Sequence, residues 1–142
     1  MQMKSIRSAT LAILASCLLM SSSCVDLVKP LAKGSEGYAE AVLPEYDAYV
    51  KADASLANNE AERVSRLENS TALAGSIKNA QGGGTTFEAL LADIDRRTST
   101  LLPQYDAYVT ADTKISADTK RIRLQSSTGW KNLIATSKNP PK

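Results

Sequence analysis

An eleven-residue segment of this 142-residue chain occurs in two copies. Leu43-Pro-Glu-Tyr-Asp-Ala-Tyr-Val-Lys-Ala-Asp53 returns as Leu102-Pro-Gln-Tyr-Asp-Ala-Tyr-Val-Thr-Ala-Asp112, identical at nine positions and offset by 59. Further on the offset falls to 57. Arg66-Leu67 aligns with Arg123-Leu124, Ser70-Thr71 with Ser127-Thr128, Leu73 with Trp130 and Ile77 with Ile134. The length change falls within residues 54–63, where a turn is expected. A unit of about 35 residues present twice implies two similar substructures, and two copies are too few for a solenoid.

Each copy reads as a helical hairpin. In the second, Phe87, Leu90/Leu91, Ile94, Leu101, Tyr105 and Tyr108/Val109 recur three or four apart, one apolar stripe at helical period. Thr85-Thr-Phe-Glu88 offers a capping box. Residues 112–116 read as a turn, and Ser116 caps a helix whose stripe uses Ile122, Trp130, Leu133 and Ile134. In the first copy Tyr38, Val42, Tyr46 and Tyr49/Val50 form the first stripe. Asn59-Glu-Ala-Glu62 offers a cap, and Val64, Leu67, Leu73/Ala74 and Ile77 form the second. Pro44 and Pro103 stand at equivalent places inside these stripes. They predict a helix restart near Pro44 and a kink near Pro103. Gly82, Gly83 and Gly84 make a linker, because consecutive glycines cost about 1 kcal/mol each in a helix relative to Ala. They do not read as a phosphate loop, since no strand precedes them and no Lys comes after them.

The N-terminus is of another kind. Lys4 and Arg7 precede an apolar run from Ser8 to Met20, followed by Ser21-Ser-Ser-Cys24. The run is too short to span a bilayer, which takes about 20 apolar residues. This segment resembles the signal peptide of bacterial lipoproteins, in which cleavage before a cysteine is coupled to its acylation. The resemblance covers the first 24 residues only. Cys24 uses the whole apolar run and is the expected lipidation site. Cys17, after Leu14-Ala-Ser16, has the better local motif but leaves a cramped apolar core. Val25, not an acid, stands after Cys24; in enterobacterial lipoproteins an Asp there marks retention at the inner membrane. The resemblance therefore implies the periplasmic leaflet of the outer membrane, or the cell membrane in a host that has only one.

Without residues 1–23 the chain has fifteen basic and fifteen acidic side chains, so its slight overall basicity argues nothing about nucleic acid. Charge is unevenly placed. Residues 24–81 carry six basic and nine acidic side chains, and residues 82–142 nine and six. There is no acid after Asp118, so Lys120, Arg121 and Arg123 are expected to face Glu60, Glu62 and Glu68 of the matching helix. A contact with anionic envelope phosphate is the alternative. There is no histidine, which removes the commonest general base and metal ligand. No cofactor and no metal are expected.

The duplicated polar residues are the candidate site. Tyr46/Tyr49 and Tyr105/Tyr108 are three apart, so each pair shares a helix face. With Asp53 and Asp112 they make a candidate binding face for glycan or peptide; packing at a helix contact is the plainer reading. Asp53 and Asp112 are expected to end one helix and cap the next segment, and Asp47 and Asp106 to be solvated.

The expected fold is all-α, two duplicated hairpins in a small four-helix arrangement with approximate two-fold symmetry. The expected organisation is a signal at 1–23, a lipidated tether at 24–37, hairpins at 38–81 and 87–136 joined by linker 82–86, and a frayed tail at 137–142. The expected function is a lipid-anchored, non-enzymatic envelope protein. It would hold the membrane through acyl chains and meet a protein partner in the envelope, without nucleic acid. A glycan- or peptide-binding module and the outer-membrane lipoprotein of a phage lysis system are the alternatives.

Overall fold

The computed structural model describes the backbone of residues 5–142 and the side chains of residues 27–142. The side chains of the signal segment and of both candidate cysteines, Cys17 and Cys24, lie outside the described residues. The fold is all-α: α1 (Ser5–Ala52), a 3₁₀ turn (Ala54–Leu56), α2 (Glu60–Gln81), α3 (Phe87–Ala111) and α4 (Ala117–Lys138). Among the described residues there is no strand.

Side-chain oxygens set three helix starts. Asn59 accepts from the Glu62 amide, Thr86 from Ala89 and Ser116 from Thr119. These satisfy amides that have no partner inside the helix. The cap of α3 therefore sits one residue later than the expected Thr85–Glu88 box, and Glu88 falls inside the first turn. The two copies close their first helices alike. Asp53 and Asp112 leave helical geometry at φ −70°, ψ 106° and φ −70°, ψ 110°. Each then accepts the amide two residues on, Ser55 at 2.9 Å and Lys114 at 2.8 Å. Between hairpins, Gly83 takes φ +86°, where a side chain would be strained.

The four helices run up, down, up, down. Neighbouring helices pack α1 on α2, α2 on α3, α3 on α4 and α4 back on α1, while α1 and α3 also meet across the middle. The core is correspondingly central, with Val42, Tyr46 and Val50 of α1, Leu101, Tyr105 and Val109 of α3, Leu73 and Ile77 of α2, and Trp130 and Ile134 of α4.

Three expectations are corrected. The tether expected at 24–37 is helix, part of α1, with Val28, Leu31, Ala32 and Ser35 buried. The duplication extends through this stretch although identity has decayed there. The order of buried, half-buried and exposed positions over residues 31–50 recurs over 90–109 at every position but one. Pro44 does not restart a helix. Pro44 and Pro103 both lie inside continuous helices, on the exposed side, where water reaches the carbonyl each proline leaves unbonded. Their neighbours Leu43 and Leu102 are buried.

The third correction concerns charge. Lys120, Arg121 and Arg123 do not face Glu60, Glu62 and Glu68. With α1 against α3 across the centre, α2 and α4 lie on opposite sides and do not pack together. Arg123 pairs instead with Glu45 of α1 at 3.0 Å, Arg121 with Asp118, and the Lys120 ammonium donates to the Thr110 carbonyl. Glu60 and Glu62 pair within α2, with Arg63 and Arg66.

One contact joins Tyr38 of the first hairpin to α4 of the second. A Cβ placed on Gly129 would stand 2.7 Å from the Tyr38 ring, which stacks on Trp130 at 6.4 Å. Trp130 is fully buried. Gly129→Ala gains helix propensity of about 1 kcal/mol but overpacks this contact at about 1–3 kcal/mol. A lower melting temperature is expected. Gly75→Ala, with nothing within 4 Å of the new methyl, should raise it. A stabilised Gly129→Ala protein would mean that Tyr38 gives way freely.

Candidate functional site

The duplicated residues converge where α1 and α3 meet. The Tyr49 and Tyr108 rings stack at 5.4 Å between centroids with 9° between planes. Tyr46 meets Tyr108, and Tyr105 meets Tyr49, edge to face, both at 6.4 Å and 63°. Such reciprocal contacts are those of an approximate two-fold axis passing between the stacked rings, parallel to the bundle.

Hydrogen bonds obey the same axis. The Tyr49 hydroxyl donates to Asp112 Oδ2 at 2.8 Å, and the Tyr108 hydroxyl donates to Asp53 Oδ2 at 2.6 Å. Each hydroxyl also accepts from an arginine at equivalent positions, Tyr49 from Arg123 Nη1 at 2.7 Å and Tyr108 from Arg66 Nη1 at 2.9 Å. The Arg123 guanidinium lies 5.8 Å from the Tyr49 ring centre, a cation–π contact. The inner pair is bound likewise. Tyr46 donates to Gln104 Oε1 and Tyr105 to Glu45 Oε2, both at 2.6 Å.

The symmetry breaks at one position in a way that balances charge. Residue 45 is Glu and its counterpart 104 is Gln. Arg123 takes Glu45 across the bundle, whereas Arg66 takes Glu62 of its own helix at 2.8 Å. Each arginine thus has one carboxylate partner.

The environment keeps the phenols neutral. Burial, chiefly, pushes Tyr46 up to about 12. Burial and the bond to Glu45 push Tyr105 up further. Tyr49 and Tyr108 are raised by burial first and then by their aspartates. Conversely, bonds from Ser55 and Tyr108 hold Asp53 below its ordinary range, and the Lys114 amide and Tyr49 do the same for Asp112.

All six candidate residues, Tyr46, Tyr49, Asp53, Tyr105, Tyr108 and Asp112, are therefore brought together, but as an internal junction between copies rather than an open face. Tyr46 and Tyr105 are 1% and 0% exposed, and every hydroxyl of the four is already bonded inside the molecule. Asp53 and Asp112 do cap the segments after them, while also receiving the opposite copy's tyrosine. Asp47 and Asp106 are less solvated than expected, since one carboxylate oxygen of each is buried without a partner. Arg66, Arg123, Glu45 and Gln104 were not among the candidates. The recurrence of Arg66 as Arg123 in the second block was the available signal.

Among the described residues, no group of three or more carboxylates or thiols converges in a way that could hold a metal ion. No family model, curated protein or solved structure matches this chain.

Proposed function

We propose that the protein is a non-enzymatic, lipid-anchored component of a bacterial envelope that works through contacts made by a rigid helical body. The observation that carries this reading is the run from Lys4 to Cys24, which ends in a cysteine fit for acylation. Two structural features support it. The most elaborate polar cluster is spent on joining the two copies, which suits a scaffold better than a reaction site. Val28, four residues after Cys24, is already in the core. An acylated Cys24 would hold the bundle directly against the membrane, without a long tether. Among the described residues no helix is long and apolar enough to cross a membrane. The proposed location is the periplasmic leaflet of the outer membrane, with a protein partner in the envelope.

Labelled palmitate and membrane fractionation test the anchor. Cys24→Ser is expected to lose the label and to leave the membrane fraction. Acyl chains contribute about 0.8 kcal/mol per buried CH₂, and two or more chains anchor stably where one does not. Loss of label in Cys17→Ser alone would move the site to Cys17. Membrane attachment that survives replacement of both cysteines would end the lipoprotein reading.

A further inference from the structure

The duplication supplies an internal comparison for a groove on the outer side of each hairpin. Between α3 and α4 it encloses about 350 Å³ over Leu102, Pro103 and Ile134. Two lysines of α4 line it. Lys131 pairs with Asp106, and Lys138 pairs with Asp95 at 2.6 Å. Their aliphatic stems lie along the groove while their ammonium groups reach the acids.

The equivalent groove between α1 and α2 is nearly twice as large, about 670 Å³, over Leu43, Pro44 and Ile77. Its acids are kept: Glu36 stands for Asp95 and Asp47 for Asp106. Its lysines are not. Ala74 occupies the place of Lys131, and Gln81 that of Lys138. Glu40 adds a third carboxylate and Lys78 the one cation among the lining residues, leaving a net charge of −2. Among the described residues no ion pair includes Glu36, Glu40, Asp47 or Lys78. Asp47 Oδ1 is buried and accepts no hydrogen bond, and the same holds for Asp106 Oδ1 in the second hairpin, so what sets the first groove apart is its missing lysines. The first hairpin thus keeps floor and carboxylates in the arrangement that, in the second, binds two alkylammonium groups, and lacks those groups.

We propose that the α1–α2 groove binds a linear aliphatic polyamine, whose methylenes lie on Leu43, Pro44 and Ile77 and whose terminal ammonium groups reach Asp47 and the Glu36/Glu40 pair. What the second hairpin places there is alkyl chain and ammonium without backbone, and both walls are helices with no free strand edge for a peptide to extend. This favours a free polyamine over a lysine-bearing segment. Length is part of the selection. At 1.5 Å per residue, Asp47 lies about 10 Å along α1 from Glu40 and about 16 Å from Glu36. A triamine or tetraamine reaches the longer span, from Asp47 to Glu36, and a short diamine does not. The site does not depend on the proposed lipid anchor, so either can fail without the other.

Calorimetry with spermidine, on the full chain in nonionic detergent at low salt, tests this. One saturable site is expected, with putrescine binding at least tenfold more weakly. Asp47→Asn should weaken spermidine at least tenfold, and Asp106→Asn, where Lys131 already holds the carboxylate, should leave it unchanged. Ala74→Lys should rebuild the pairing of the second hairpin, abolish spermidine binding and raise the melting temperature. If that variant does not fold, Asp47→Asn still decides. Absence of a saturable site, equal binding to Asp47→Asn, or tighter binding of a lysine-rich peptide than of spermidine would overturn the proposal.

Discussion

Tyr105→Ala is expected to destabilise the bundle by about 3–5 kcal/mol, the range for truncating a fully buried aromatic side chain. Tyr105 has no exposed surface, packs its edge on Tyr49, and donates to Glu45 across the bundle. Truncation opens a cavity at the junction of the copies and also removes Glu45's hydrogen bond. A domain of this size has about 5–15 kcal/mol in all, so much of its stability is at stake. Tyr46→Ala should cost a similar amount, by the two-fold relation. Tyr105→Phe keeps the ring, and Glu45 keeps Arg123, so its cost should be nearer 1 kcal/mol. Thermal and urea melts of the full chain measure all three. A Tyr105→Ala protein that melts like the wild type would show that the rings are not structural and would revive a binding role for them.

Alkaline pH is expected to unfold the protein through the same cluster. In an unfolded chain tyrosine ionises near 10. Below that pH both states hold neutral phenols and the contribution of the cluster is complete. Above it the unfolded state releases protons that the folded state retains, so stability falls as pH rises through the folded-state values. For Tyr46, raised to about 12, the loss reaches about 2–3 kcal/mol at pH 12, at about 1.4 kcal/mol per pH unit. Tyr49, Tyr105 and Tyr108 shift in the same direction and add to it. Tyrosinate absorbance from these residues should therefore rise together with loss of helical circular dichroism, in one steep transition above pH 10. Phenols that ionise near 10 while the helices stay intact would contradict the internal placement. On the acid side the sign reverses. Asp53 and Asp112 are lowered, so their contribution is present above the ordinary carboxylate range and is lost as pH falls through their folded values.

The parts of this structure legible in the sequence are those governed by local chemistry. Asn59 and Ser116 announce helix starts because a short polar side chain satisfies free amides wherever a helix begins. The stripe from Phe87 to Val109 announces α3 because its apolar residues keep helical spacing. Residues 28–37 were illegible for the opposite reason. Pro30, Gly34 and Gly37 weaken helix propensity, and tertiary burial overrides it. Gly34 lies against Leu133 of α4, where a Cβ would come within 3.0 Å. Gly34 serves a close helix contact there.

By itself, then, the sequence determined that the chain is helical, that it is built twice, and that four tyrosines share equivalent helix faces. Only the tertiary structure decided what those faces meet. Periodicity gives the direction in which Tyr49 points from its own helix, but not that Asp112 and Arg123, 63 and 74 residues on, will be there to bind it. Nor does the duplication choose neighbours. It requires two equivalent hairpins, and either the first helices or the second could have met on the axis between them. The larger apolar surface of α1 and α3 brought those two together, set α2 and α4 apart, and so turned Arg123 of α4 from Glu60, Glu62 and Glu68 to Glu45 of α1.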